Sequence, residues 1–208
     1  KEYSDNLNLI VEQRTKELEK MNRVLLTDTE NAKEMQRCLL PAQMPQDASV
    51  SFNAEYLAAE RLSGDFYNVI KLDENNIAIY IGDVSGHGVS AAMLTVFANQ
   101  NLKPLREEED LSERIIEPGF VLKNIYKSFN KTSAGINVAP YVIKESGEVF
   151  EMDVKGFPIC KFGDYNMPFY DNRNIQLETG DKILFYTDGL VEAKNKYGEI
   201  YGHERMVD

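Results

Sequence analysis

The first forty residues place apolar side chains at alternating steps of three and four. The apolar members of this repeat are Leu7, Val11, Leu18, Met21, Leu25, Ala32, Met35 and Leu39. The two remaining seam positions hold Arg14 and Asp28, and neither proline nor glycine interrupts the run before Pro41. A heptad repeat of this kind is typical of a coiled coil, so we predict one long helix over residues 1–40.

A helix of this length extends about 60 Å at 1.5 Å per residue, which is too long for one small domain to cover. A parallel homodimer would bury the apolar stripe, whereas the alternative is a lone amphipathic helix folded against its own globular domain. Polar Arg14 and Asp28 would weaken the dimer and permit a second register or a loosened state. The predicted dimer contacts are Leu7, Val11, Leu18, Met21 and Leu25.

A second pattern predicts a β-hairpin over residues 65–83. The runs 66–72 and 76–82 are rich in β-branched and aromatic residues, and the polar residues 73–76 separate them. Antiparallel pairing of the two runs would bring Asp65 back towards Asp83. Two carboxylates are thus expected at one end of a sheet.

The segment after Asp83 changes from strand to helix periodicity. Gly86 and Gly88 allow a tight turn, and the alanine-rich apolar run 89–100 predicts a buried helix that starts near Ser90. Further along, alternation on either side of residues 146–147 predicts a hairpin over 144–153.

A strand predicted over 182–187 ends at Asp188, which is followed by glycine. Any single pair of aspartate and glycine is usually turn chemistry. Three aspartates at strand ends together point to a shared site. Converging carboxylates without a cysteine or histidine cluster are hard oxygen ligands, suited to Mg²⁺ or Mn²⁺ rather than Zn²⁺.

Composition narrows the class of protein without identifying it. Of the 208 residues, 27% are charged and 43% apolar, which is ordinary for a globular protein. Acidic residues number 34 against 23 basic ones, which argues against a nucleic-acid partner because phosphate backbones require a basic face. Excess acid is compatible with a carboxylate-rich metal site.

The sequence also bears on location. No apolar run reaches the roughly 18 residues of a membrane helix, and the first residues do not resemble a secretory signal. Cys38 and Cys160 are far apart and lack a framework spacing, which points to structural thiols in a reducing compartment. We expect a cytoplasmic location, or the cytosolic part of a membrane-bound sensor.

Five segments resemble, in order, the motifs of the metal-dependent (PPM-type) serine/threonine protein phosphatases, in the bacterial branch called SpoIIE-like or RsbU-like. The segments are Leu39-Leu-Pro-Ala-Gln-Met-Pro45, Ser63-Gly-Asp-Phe-Tyr67, Gly82-Asp-Val-Ser-Gly-His-Gly-Val-Ser-Ala-Ala92, Ser133-Ala-Gly-Ile-Asn137 and Phe185-Tyr-Thr-Asp-Gly-Leu-Val-Glu-Ala193. The resemblance implies a fold of two antiparallel sheets flanked by helices, an α-β-β-α sandwich of the α+β class, here preceded by the long helix.

The resemblance also implies a site that holds two Mn²⁺ or Mg²⁺ ions. By position, Asp83 corresponds to the bridging ligand, Asp65 to a ligand of the second ion and Asp188 to a ligand of the first. The backbone carbonyl of Val84 corresponds to a further ligand. A metal-bound hydroxide would then attack the phosphorus of a phosphoserine or phosphothreonine.

Other residues receive weaker assignments. His87 and the adjacent Gly86 are candidates for a role in substrate binding or loop shape, and His87 could donate a proton to the leaving group. His203 is expected at the surface near a helix start.

The resemblance divides the chain into a coiled-coil linker at 1–40 and a phosphatase domain at 41–208. The strands that precede the Ser-Ala-Gly motif in the family are absent where Thr132 meets Ser133. Because a sheet without its central strands would leave backbone groups unpaired, we expect the domain to be incomplete at 131–134. It is also expected to be incomplete at the C-terminus, where the family places a last acidic ligand.

The predicted function is dephosphorylation of a phosphoprotein, by analogy a STAS-type anti-sigma-factor antagonist in bacterial signalling. An upstream sensor domain in a longer chain would act through the N-terminal helix. The alternative is a catalytically silent phosphatase-like module that dimerises through the coiled coil and reports a signal by binding.

Overall fold

The computed structural model describes residues 2–58, 61–86, 88–102, 121–122, 140–152, 170 and 173–207. Within these ranges the chain forms two antiparallel sheets accompanied by helices, which confirms the predicted α+β class. The junction at 131–134 and residue Cys160 lie outside these ranges. The proposed gap at the junction therefore stays a prediction. The domain boundary at residue 40 also stays a prediction.

The long N-terminal helix, α1, spans Glu2–Arg37. Ion pairs one turn apart run along its surface, for example Lys16 to Glu12 at 2.6 Å, although such exposed pairs add little stability. Residues 3–28 are all exposed, which weighs against a helix folded onto its own domain along this length. The predicted dimer residues are 53% to 66% exposed: Leu7, Val11, Leu18, Met21 and Leu25.

The helix ends earlier than the heptad pattern predicts. Leu39 was expected on the seam but lies in a turn after the last helical residue, Arg37. The physical reason is Pro41, because a proline disfavours helical backbone at the residue before it. The amide nitrogen of Leu39 bonds instead to the carbonyl of Gln36 at 3.0 Å. The cysteine in this turn, Cys38, is exposed and so contributes no buried packing.

The predicted hairpin is present as β1, Asp65–Lys71, paired antiparallel with β2, Ile77–Asp83. The Asp73 carboxylate holds the connecting turn by accepting the backbone N–H groups of Asn75 and Asn76, both at 2.8 Å. This local bond is typical of aspartate in turns. The turn sets the register of the whole ladder.

Helix α2, Val89–Asn101, packs beside this hairpin. Its small residues Ala91 and Ala98 are buried together with Phe66 of β1 and with Val84. Small side chains let the helix approach the strands closely, so the start of α2 lies next to the strand end that carries Asp83. The predicted start near Ser90 is one residue late.

The second sheet has the order β4-β3-β5, with β3 at Tyr141–Ile143, β4 at Val149–Glu151 and β5 at Lys182–Leu184. The predicted hairpin turn contains Gly147 at φ 88°. The strand predicted over 182–187 stops at Leu184, because Tyr186 turns into a small core with Tyr141 and Val191. The short helices α3, Asp188–Val191, and α4, Glu204–Val207, follow.

Among the described residues, no helix is both long enough and apolar enough to cross a membrane. His203 is exposed and directly precedes α4, as predicted. Its ring lies edge-on to Tyr186, with the centroids 6.3 Å apart.

Asp181 joins the β3-β4 turn to the start of β5. Its carboxylate receives Lys144 Nζ at 2.5 Å and the backbone N–H groups of Glu145 at 3.2 Å and Glu178 at 2.9 Å. These donors lower the pKa of Asp181, with the Lys144 hydrogen bond as the largest cause. Because all of them favour the charged form, the carboxylate stabilises the sheet only while it is ionised.

We predict that Asp181→Asn lowers the melting temperature at pH 7. A depressed folded-state pKa contributes stability above the unfolded pKa, and that contribution is lost as pH falls through the folded pKa. The difference in melting temperature between wild type and variant should therefore become smaller in acid. Thermal unfolding from pH 7 to pH 3 would measure it. Asp5→Asn on exposed α1 is the control, and a gap that is constant with pH would contradict the prediction.

Candidate metal centre

The β1-β2 register places two of the predicted ligands directly opposite each other. Asp65 begins β1, Asp83 ends β2, and the two residues are Cα partners in the ladder. Directly opposed residues present their side chains on the same face of a sheet. Both carboxyl groups are partly buried, so they meet at the end of the hairpin nearest α2.

The third aspartate arrives from the far end of the chain. Asp188 is the first residue of α3, and its carboxyl interacts with that of Asp83. The hydroxyl of the preceding Thr187 donates to Asp65 Oδ2 at 2.8 Å. A Cβ added at Gly189 would lie 4.0 Å from the same Oδ2. The structure thus brings Asp65, Asp83 and Asp188 together.

Electrostatics at this point oppose three charged carboxylates. Burial raises the pKa of Asp83 to about 7, and repulsion by Asp65 and Asp188 adds to the shift. Burial also raises the pKa of Asp65, while the hydrogen bond from Thr187 works against that rise. In the protein alone, a proton on Asp83 would relieve the repulsion. A cation would relieve it while all three groups stay ionised.

The donor set fits a hard divalent cation. Among the described residues, none of the ion pairs involves the three aspartates, so protein cations do not neutralise them there. Carboxylate and carbonyl oxygens are the ligands preferred by Mg²⁺ and Mn²⁺. In the part of the chain that the structure describes, no group of three or more histidine, cysteine, aspartate or glutamate side chains is arranged to hold a metal ion. The aspartates are therefore neighbours that could share ions through water, not a finished coordination shell.

Val84 follows Asp83 and is 1% exposed. Its N–H donates to the carbonyl of Gly64 at 3.0 Å. A Cβ on Gly64 would come within 2.4 Å of the Val84 carbonyl oxygen, so only glycine allows this close approach. The predicted carbonyl ligand is consequently held against the residue that precedes Asp65.

The turn beyond Val84 depends on two glycines. Gly86 has φ 102° and Gly88 has φ 79°, conformations that side chains with a Cβ rarely adopt. Gly86 is exposed and lies between the strand end and α2. His87 lies outside the described residues, so its role and that of Gly86 stay predictions.

Several polar residues that support the site were not anticipated. Thr187 and Ser63 each stand within two residues of a predicted ligand, and a hydroxyl beside an aspartate was a usable signal. Thr95 on α2 and Gln36 on α1 are distant in sequence, and nothing in their local pattern marks them. Ser63 Oγ accepts the Asp65 N–H at 3.0 Å.

Comparison with known proteins places these features in a family context. The family model described as "Stage II sporulation protein E (SpoIIE)" matches residues 73–136 and 128–208, which is more than half of the chain. The "Phosphoserine phosphatase RsbU" of Bacillus subtilis is 26% identical over 196 residues, covering 83% of this chain and 56% of that protein. The "Phosphoserine phosphatase RsbP" of the same organism is 28% identical over 187 residues, covering 79% of this chain and 45% of that protein.

The chain spans about half the length of these two relatives. Among solved structures, the "SiaA-PP2C domain of Pseudomonas aeruginosa" has a TM-score of 0.69 at 19% identity, covering 90% of this chain and 82% of that domain. At this identity the likeness concerns the fold alone. It confirms the predicted α+β fold.

We predict that Asp83→Asn stabilises the metal-free protein at pH 8, because it removes a carboxylate that its neighbours repel. Asp83 is only partly buried, so solvent screening limits the gain to roughly 1 to 2 kcal/mol. Denaturant unfolding in EDTA would measure it.

Saturating Mn²⁺ should make wild type more stable than Asp83→Asn. A ligand at 100 times its dissociation constant adds about 2.7 kcal/mol to the stability of the native state that binds it. Asp5→Asn is the comparison, because that residue is exposed on α1 and is not one of the candidate ligands. Equal responses of wild type and Asp83→Asn to Mn²⁺ would refute a metal centre at this point.

Proposed function

Since the chain belongs to the SpoIIE family, we propose that it is a metal-dependent protein serine/threonine phosphatase with its reaction centre at Asp65, Asp83 and Asp188. The observation that carries this proposal is the meeting of three mutually repelling carboxylates from distant parts of the chain. A purely structural descendant of the fold has no need for such a cluster. The names of the two Bacillus relatives support a phosphoserine substrate.

The chain's own residues would divide the work by position. Asp83 contacts both other carboxyls, which suits a ligand shared between two cations, whereas Asp65 and Asp188 would each hold one. Thr187 orients Asp65 by occupying its Oδ2. When bound, Mn²⁺ or Mg²⁺ supplies an acidified water and offsets charge on the phosphoryl oxygens. No nucleophilic side chain is then required.

The proposed substrate is a phosphorylated protein of the STAS-type anti-sigma-factor antagonist class. Family resemblance supports this assignment, together with the phosphoserine activity named for RsbU and RsbP. The acidic composition, with a net charge of −11, is compatible with a protein partner and disfavours nucleic acid. The described site lies at a sheet end beside an exposed loop, where a phosphorylated loop could reach it.

We also propose that α1 dimerises and carries a signal from an upstream sensor domain. Leu18, Met21 and Leu25 are at least 63% exposed, and burying apolar surface against a second copy is favourable by about 25 cal/mol per Å². Polar Arg14 and Asp28 on the same seam would keep the coiled coil adjustable.

Phosphate release from a phosphoserine peptide in Mn²⁺ tests the activity. Wild type should turn over, and Asp83→Asn should lose at least about a hundredfold, the upper end of the cost of removing a partner outside the coordination shell. Asp5→Asn on exposed α1 should retain activity. A wild-type chain that binds Mn²⁺ but releases no phosphate would favour the silent binding module.

A second experiment tests the helix. Replacing Arg14 and Asp28 with leucine should tighten the dimer, because polar seam residues cost coiled-coil stability, and should change the phosphatase rate. Sedimentation equilibrium would measure the dissociation constant of the dimer. Phosphate release would measure the phosphatase rate. Unchanged turnover in a measurably tighter dimer would exclude regulation through this helix.

A further inference from the structure

Two polar side chains are buried among the described residues, Gln36 at 6% exposure and Thr95 at 1%. They come from different helices, α1 and α2. Both hydrogen-bond to the same dipeptide, Ser63-Gly64. Buried polar groups are costly unless they are paired, so this convergence on one short segment requires an explanation.

Gln36 binds both backbone polar groups of Ser63. Its Nε2 donates to the Ser63 carbonyl at 2.6 Å, and its Oε1 accepts the Ser63 N–H at 3.1 Å. A side-chain amide that satisfies a donor and an acceptor of one residue fixes both the position and the rotation of that residue. Gln36 is the penultimate residue of α1, so the end of the long helix is joined directly to this loop.

Gly64 is held from the opposite side. The Thr95 hydroxyl lies 3.0 Å from the carbonyl oxygens of both Gly64 and Ala91. The Gly64 carbonyl also accepts the N–H of Val84 at 3.0 Å. The dipeptide is therefore clamped between α1, α2 and the strand end that carries Asp83.

From the clamp, the next contacts reach the candidate ligands. The Asp65 N–H donates to Ser63 Oγ at 3.0 Å, which fixes the backbone of Asp65. Thr187 separately fixes one oxygen of its carboxylate. The Val84 carbonyl packs against Gly64, where an added Cβ would approach it to 2.4 Å. Two predicted ligands thus depend on the position of Ser63-Gly64.

An apolar residue at position 36 could also anchor a helix end to a core. It would provide no directional contact to Ser63, and it would leave the Ser63 N–H and carbonyl without the partner they have here. The amide therefore contributes orientation, which matters where a ligand must point at an ion.

We propose that Gln36 is a positioning residue for the metal centre, holding Ser63-Gly64 so that Asp65 and Val84 keep the geometry needed to bind a divalent cation. The inference rests on the proposed function for the identity of the bound cation. Since the same residue lies in the last turn of α1, it also provides a direct connection between that helix and the site.

The test compares Gln36→Met with Gln13→Met. Methionine keeps the length of glutamine but neither donates nor accepts comparably, and Gln13 is an exposed residue of the same helix. Binding of Mn²⁺ alone is followed by electron paramagnetic resonance of the free ion. Thermal unfolding and phosphate release against Mn²⁺ concentration are measured on the same samples.

We expect Gln36→Met to weaken Mn²⁺ binding about 10- to 100-fold, the usual cost of losing an outer partner of a ligand, with turnover recovering at saturating Mn²⁺. Gln13→Met should bind Mn²⁺ as wild type does. A Gln36→Met protein that melts earlier but binds Mn²⁺ unchanged would show a purely structural role and overturn the proposal.

If Gln36→Met does not fold, Ser63→Ala decides the question, because it removes the acceptor of the Asp65 N–H and keeps the backbone groups that Gln36 binds. Weaker Mn²⁺ binding supports the positioning role, and unchanged binding overturns it. A wild-type chain that binds Mn²⁺ without releasing phosphate contradicts only the proposed function. The Mn²⁺ affinities of wild type and Gln36→Met then still test the positioning role of Gln36. A wild type that binds no Mn²⁺ defeats both.

Discussion

The direct pairing of Asp65 with Asp83 across β1 and β2 is the constraint on which the rest of the site depends. A slip of one residue would send their side chains to opposite faces of the sheet. The turn prevents this slip, because Asp73 binds Asn75 and Asn76 while the N–H of Leu72 bonds to the Asn76 carbonyl at 2.9 Å. An ordinary turn motif thus controls the geometry of the candidate chemistry.

The same pairing works against stability. Three carboxylates share a partly buried point, and the described residues offer them no ion pair with a basic side chain. Buried charges are normally paired, and proteins break this rule mainly at functional sites, where the surrounding structure compensates. Here the hydroxyl of Thr187 compensates as a neutral donor towards Asp65. Neutral donors orient a carboxylate and leave its charge available for a cation.

The segment Ser63-Gly64 is the place where α1, α2 and the hairpin meet. Most of α1 is exposed, yet its C-terminal end is tied down by Gln36 and by the bond from Asn99 to the Leu39 carbonyl at 3.1 Å. A long helix with an exposed shaft and a fixed end is suited to transmit a change made far from the site. The fixed end results from contacts within one chain and does not require dimerisation of α1.

Sequence alone determined the hairpin, the helix after Asp83 and the heptad stripe, because each is encoded by local periodicity and turn residues. It also marked Asp65, Asp83 and Asp188, since each stands where a predicted strand ends. It overestimated the strand before Asp188, where Tyr186 leaves the ladder for a core with Tyr141 and Val191. Only the tertiary structure decided that Gln36 and Thr95 bond to Ser63-Gly64, since these contacts join residues 27 and 31 positions apart in sequence. Hydrogen bonds across such separations leave no periodic trace in a chain, because they are fixed by how helices and strands pack.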